Sequence, residues 1–226
     1  MPTAIVTGAS RGIGLAVARD LVKDHHVIAA VRDPAKVPDI PRARIEKLDV
    51  ADPQSISAFA ERVGAPIDVL VNNAGIYTGA PRDIWAVNVR GPLLLTRALA
   101  HKLSKGARVV NVTSGLGELS GQPESLVRKL RSPDLTFDDL LALCDHPPGG
   151  YGPSKAALNA LTRLLARELP HVRVNSACPG WVRTDMGGPG APRSIAQGAA
   201  SILAMCRLPA DGPTGGVFRD GQPIEF

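Results

Sequence analysis

The chain of 226 residues has little cysteine, few aromatic side chains and no long apolar run. Its three cysteines, Cys144, Cys178 and Cys206, are too few and too scattered for a disulfide framework or a Cys-x-x-Cys metal site, which leaves buried or free thiols. The five histidines, His25, His26, His101, His146 and His171, show no one-turn pairing with a carboxylate on one helix, so no metal is expected. No segment approaches the roughly 18 consecutive apolar residues of a membrane span, so a soluble protein with no membrane partner is expected. Met1 leads straight to Ala4-Ile5-Val6 without the basic, apolar and small-residue parts of a secretory signal, and the expectation is a cytoplasmic protein. The net charge is +5, yet basic residues are spread along the chain. Their tightest group, Arg128-Lys129 with Arg131, fits a solvated helix face, and no nucleic-acid module appears, so nucleic acid is not expected as a partner.

What is present is an ordinary globular balance, 44% hydrophobic and 21% charged, at a length that one core can serve. A single domain over residues 1–226 is therefore expected. Short β-branched runs (Ala4-Ile5-Val6-Thr7, Val27 to Val31, Ile45 to Leu48, Asp68 to Val71, Arg108 to Val112, Val172 to Asn175) alternate with helical patterns at about 12–24, 53–63, 82–104, 151–168 and 194–207. Continuous apolar strands separated by helices mark an α/β fold. The expectation is a doubly wound, Rossmann-type parallel sheet of about seven strands with helices on both faces. Residues 115–150 are longer than the loop such folds need between a strand and a helix. Thr136-Phe137-Asp138-Asp139 reads there as a capping box, followed by a stripe of Phe137, Leu140, Leu141 and Cys144, so a helical insertion is expected.

Thr7-Gly8-Ala9-Ser10-Arg11-Gly12-Ile13-Gly14 closes the first strand and opens the first helix. Glycines at 8, 12 and 14 allow a tight turn, close approach of backbone to a pyrophosphate and close helix packing, while the helix N-terminus offers free N–H groups. The second strand ends Val31-Arg32-Asp33. An acidic residue at position 31 would bind a ribose 2′-hydroxyl; valine stands there instead, and Arg32 suits a 2′-phosphate, with Ser10 and Arg11 approaching from the first loop. NADP(H) is favoured over NAD.

Tyr151 and Lys155 lie one helical turn apart, on one face of a helix beginning near Tyr151. A nearby ammonium favours the phenolate and is expected to lower the tyrosine pKa. Ser114 follows a strand whose carboxyl end faces the ligand crevice, where its hydroxyl can meet a substrate oxygen.

At these residues the chain resembles the short-chain dehydrogenase/reductase family over nearly its whole length. The glycine loop resembles the family's cofactor loop, Leu48-Asp49-Val50 its adenine-contacting segment, Asn72-Asn73-Ala74-Gly75 its fourth-strand motif, and Pro179-Gly180 its post-strand turn. The resemblance implies a catalytic set of Asn88, Ser114, Tyr151 and Lys155. Tyr151 would protonate the carbonyl oxygen as hydride arrives from the nicotinamide, Ser114 would hold that oxygen, Lys155 would bind ribose hydroxyls and Asn88 a relay water. Val182 and Thr184, in Gly180-Trp181-Val182-Arg183-Thr184, are similar to residues meeting the cofactor's carboxamide or phosphate end. The Val31-Arg32-Asp33 turn, the segment from Cys178 to Met186, the long insertion and the ending Gly212-Pro213-Thr214-Gly215-Gly216 resemble the monomeric NADPH carbonyl reductases. The span from Gly75 to Asn88 is shorter than the family's pattern.

The function expected is reduction of a ketone or aldehyde to an alcohol by NADPH. The alternatives are an alcohol dehydrogenase running in the oxidative direction and a non-catalytic NADP(H)-binding redox sensor, which would be expected to lack the tyrosine or the lysine. Ile76, Tyr77, Leu116, Trp181 and Met186 are candidate walls for an apolar or aromatic small-molecule carbonyl substrate, with 187–193 as a lid. Apolar residues on more than one face of 93–103 and 156–165 require cover on both sides. The insertion can provide that cover within the chain as a plug, which implies a monomer, or it can be a substrate lid beside a dimer.

Overall fold

Strands rich in valine, isoleucine and alanine pair in parallel because the helices between them return the chain to the same end of the sheet before each new strand. The computed structural model describes residues 1–226. It orders the strands β1 Thr3–Thr7, β2 His26–Val31, β3 Arg44–Lys47, β4 Ile67–Asn72, β5 Leu103–Val112, β6 Arg173–Ala177, β7 Val217–Arg219 and β8 Gln222–Pro223 as β3-β2-β1-β4-β5-β6-β7-β8. The first seven are parallel, and β8 returns antiparallel to β7. The chain reverses order between β1 and β4, which opens a crevice at their carboxyl ends. The sheet thus has eight strands where about seven were expected. The extra one is the second leg of a hairpin whose turn residues Asp220 and Gly221 both have positive φ, at 52° and 78°. An Asp-Gly pair suits that backbone, so the turn was visible in the sequence but was not read.

One face carries α1 Gly12–Leu21 and α8 Ile195–Cys206, and the other carries α2 Pro53–Arg62, α4 Gly91–Leu99 and α7 Tyr151–Glu168. The predicted helix over 82–104 is not continuous. It divides into α3 Pro81–Trp85, a π turn Ala86–Arg90 and α4, and β5 already begins at Leu103. Pro92 has no N–H to return to the carbonyl of Asn88 four residues back, and a π turn is one way to absorb that missing bond. Gly91 is needed there as well, because a Cβ on it would stand 2.7 Å from the Val50 carbonyl oxygen.

The insertion contains α5 Glu124–Arg131 and α6 Phe137–Asp145. Thr136 and Asp139 form the predicted capping box, each side chain accepting from the other's backbone N–H. Leu126, Leu130, Leu135, Leu140 and Cys144 are buried in the same cluster as α4 and α7, so the insertion is part of the core. From α7, Arg163 donates to the Leu130 carbonyl, and Arg167 donates to those of Pro133 and Leu135, satisfying acceptors at and beyond the end of α5. No helix is long and apolar enough to cross a membrane.

Candidate active site

The glycine loop leaves β1 and turns into α1 beside the crevice. Gly8 and Gly12 have φ of 66° and 56°. A Cβ on Gly8 would stand 2.9 Å from the Ala74 backbone, and one on Gly14 would stand 2.3 Å from Asn73 Nδ2. Any larger residue at these two positions would push the loop away from β4. No side chain caps the start of α1, so its first amides remain free to donate to an anion. The cradle and the uncapped helix fit the pyrophosphate of a dinucleotide. Thr184 also fits, since its methyl lies where a Cβ on Gly12 would be 3.5 Å away.

Asn73 and Ala74 are fixed by β1. The Asn73 side chain donates to the carbonyls of Thr7 and Gly8 at 2.8 and 3.2 Å, and the Thr7 hydroxyl accepts from the N–H groups of Asn73 and Ala74, both at 3.0 Å. This lacing holds the two strand ends that flank the crevice. Asp49 accepts from the Ala51 N–H at 2.9 Å, which shapes the turn after β3, and the Val50 carbonyl sits against Gly91.

At the end of β2, Val31 is buried and Arg32 is exposed and makes no ion pair. The neighbouring Asp33 is engaged elsewhere, accepting from the Ala35 N–H at 3.1 Å and pairing with Lys36 at 3.0 Å. Lys36 hydrogen-bonds Asp33 and holds its carboxyl below the usual carboxylate range. Arg11, expected beside Arg32, instead pairs with Asp185 at 2.8 Å and ties the glycine loop to the 182–193 loop.

The catalytic candidates converge where β5 ends and α7 begins. Tyr151 is the first residue of α7, and Lys155 follows one turn later with its Nζ 5.5 Å from the phenol ring centre. Lys155 is buried and donates to the Val112 carbonyl at 2.8 Å, while a Cβ on Gly75 would lie 3.6 Å from its Nζ. Ser114 follows β5; its hydroxyl accepts from the Leu116 N–H at 3.2 Å and, by hydrogen bonding, draws the Tyr151 pKa down. Asn88 is buried in the π turn. Its amide accepts from the Ile76 N–H and donates to the Ile76 carbonyl, both at 3.0 Å, and donates to Ser154 at 3.1 Å.

Burial sets both pKa values, and against the sequence expectation. It pushes the Tyr151 phenol up to about 12, outweighing Ser114, and pushes Lys155 down to about 8. The Lys155 ammonium is itself desolvated and donates to the Val112 carbonyl, and burial is the larger influence on the phenol.

The wall candidates are distinctive for being apolar and exposed. Tyr77, Leu116, Trp181 and Met186 are 48%, 58%, 59% and 47% exposed, whereas Ile76 is partly buried. Tyr77 packs edge-on to Tyr151 with ring centres 4.9 Å apart. Trp181 donates to the Gly187 carbonyl at 2.8 Å, so the loop after β6 is held to its own base. Val182 and Arg193 form a parallel bridge closing that loop, and Gly180 (φ 75°) follows the buried Pro179.

Three features escaped sequence reading. Asn72 and Asn111 bond at 2.8 Å, Asn111 donates to Thr162 at 2.8 Å, and Thr162 bonds Ser176 at 2.8 Å, a buried chain joining β4, β5, β6 and α7 below the site. Its signal was polar residues inside apolar strands. Ser154, the partner of Asn88, stood inside Tyr-x-x-x-Lys. Arg219 on β7 reaches Cys178 and Gly115 beside Ser114, and nothing along the chain pointed to it.

Residues 2–125 match the family model described as short chain dehydrogenase, and residues 143–208 match one described as Enoyl-(Acyl carrier protein) reductase. The chain is similar to carbonyl reductase (NADPH) 1 of Mus musculus, at 34% identity over 97% of this chain and 96% of that protein. It is 35% identical to carbonyl reductase (NADPH) 3 of the same organism over 96% and 95%. Among solved structures, menthone neomenthol reductase from Mentha piperita superposes with a TM-score of 0.81 at 26% identity, covering 98% of this chain and 99% of that one. A short-chain dehydrogenase/reductase from Burkholderia multivorans with bound NADP gives 0.76 at 26%, covering 100% and 99%.

Proposed function

This chain belongs to the short-chain dehydrogenase family, and on that premise we propose that it is an NADPH-dependent reductase converting a ketone or aldehyde into an alcohol, with Tyr151 as proton donor. When bound, NADPH supplies the hydride for the carbonyl carbon. The glycine loop and the first amides of α1 receive its pyrophosphate, and Arg32 receives its 2′-phosphate while Asp33 is held by Lys36. Lys155, beside Gly75, binds ribose hydroxyls, and Asn88, braced by Ile76 and Ser154, steadies the segment where a relay water is expected.

The observation that carries the reading is geometric: Tyr151 opens α7 with Lys155 one turn on, its Nζ 5.5 Å from the phenol ring, and Ser114 follows the end of β5 within hydrogen-bonding reach of the phenol. At neutral pH its O–H is ready to be donated to a carbonyl oxygen that Ser114 also holds. Keeping tyrosine, lysine, serine and asparagine together supports an enzyme over a silent redox sensor. The exposed aromatic and aliphatic walls suit an apolar or aromatic substrate body.

A panel of ketones, aldehydes and quinones tests this, with loss of NADPH or NADH absorbance as the readout. Turnover with NADPH well above NADH is expected. Equal use of both cofactors overturns the cofactor assignment, and no consumption above blank with any carbonyl overturns the reaction.

A further inference from the structure

Arg219 ends β7, next to the edge strand β8, and makes no salt bridge, although its charge acts on the neighbouring Asp220. Its Nη2 donates only to the Cys178 sulfur at 3.3 Å, and its Nε is buried without an acceptor in the protein. The adjacent carboxylate, Asp220, is already gripped by both Nη atoms of Arg193 at 2.8 and 2.6 Å. Arg163 and Arg193 share the unpartnered Nε, but their other nitrogens reach a carbonyl or a carboxylate. A partly buried guanidinium whose nitrogens reach neither a carbonyl nor a carboxylate keeps donors for an anion.

Its position places that anion beside the reaction. A Cβ on Gly115 would be 3.1 Å from Arg219 Nη2, so the guanidinium borders the residue directly after Ser114. Cys178, its one hydrogen-bond partner, is an electrostatic neighbour of both Tyr151 and Lys155. Arg219 lies on β7, with β4, β5 and β6 between it and β1, whose glycine loop fits the pyrophosphate. Leu116 and Trp181 stand exposed on the loops that follow Ser114 and Cys178.

We infer that Arg219 is a substrate-recognition residue, and that the carbonyl compound reduced beside Tyr151 carries a carboxylate received by its guanidinium beside Gly115. This rests on the reductase reading above. The substrate class is then an oxo-acid with an apolar or aromatic body, whose carbonyl meets Ser114 and Tyr151 while its carboxylate reaches the end of β7.

The test compares phenylglyoxylate and the 2-, 3- and 4-carboxybenzaldehydes with their methyl esters, using NADPH. A charge-assisted bond to a carboxylate predicts that at least one acid exceeds its ester in kcat/KM by roughly 10- to 100-fold, mainly through KM. Arg219→Gln should bring that acid-to-ester ratio to about one, and Arg219→Lys should keep part of the preference because the charge remains. A purely structural role would lower acid and ester together and leave the ratio unchanged, which overturns the inference. So does a wild-type protein that prefers every ester. If esters and neutral aldehydes turn over without any acid preference, the inference fails and the reductase reading stands; if no carbonyl consumes NADPH, both fail.

Discussion

Tyr151 and Lys155 share one turn of α7, and the same burial drives them toward neutrality from opposite sides, the phenol by keeping its proton and the ammonium by losing it. Tyr151→Phe removes only the donated proton, so turnover should drop by about 10²- to 10⁴-fold while NADPH still quenches protein fluorescence. Near wild-type rates would assign the proton to another group. For Lys155 the folded pKa, about 8, lies below the ordinary lysine value of 10.5. The folded chain then binds fewer protons than the unfolded one between those values, so stability rises with pH across that window and the cost of the buried charge is complete below it. The span corresponds to on the order of 3 kcal/mol. Melting of wild type against Lys155→Met should therefore shift in favour of wild type as pH rises from 7.5 to 10, and a gap that stays constant would mean that the ammonium is solvated. Arg32 is exposed at the end of β2. Arg32→Asp should raise KM for NADPH by about tenfold or more and improve use of NADH, as measured by steady-state kinetics with both cofactors.

Among the elements, the segment 81–102 and the insertion decide how the site is supported. Pro92 interrupts what would otherwise be one helix, and the π turn before it carries Asn88 to Ile76 and Ser154. The insertion is held by ordinary means: a capping box at Thr136, apolar side chains under α5 and α6, and the arginines of α7 on its carbonyls. Leu140 is fully buried, so Leu140→Ala should cost about 2 to 5 kcal/mol in denaturant unfolding. Thr136→Ala, which removes one cap, should cost about 1 kcal/mol. A lid resting on the surface would lose far less from Leu140→Ala.

For the whole molecule, the consequence of that packing is the state of assembly. α7 has buried residues on nearly every side, and α5 and α6 cover the flank that the sheet does not. The cover comes from within the chain, so light scattering with size-exclusion chromatography at micromolar protein should give a mass near 23.7 kDa. A clean doubled mass would mean that a second copy binds beside the insertion.

The sequence alone determined what depends on neighbours along the chain. The glycine loop, the one-turn spacing of Tyr151 and Lys155, the capping box at Thr136 and the apolar strand runs each follow from local backbone preference and periodicity, which the fold preserves. The family resemblance extended this to Asn88. The Asp220-Gly221 hairpin was equally local and was simply missed. Only the tertiary structure decided what depends on strand order and burial. Strand order brings Asn111, Thr162 and Ser176 into one buried chain, and it sets Arg219 beside Ser114 across more than a hundred residues of sequence. Ion-pair partners were decided there too, giving Asp185 to Arg11 and leaving Arg32 free. The direction of the Tyr151 shift also had to wait. A lysine one turn away implies a lowered pKa by charge alone, whereas desolvation is a property of everything packed around the pair, and here it is the larger effect.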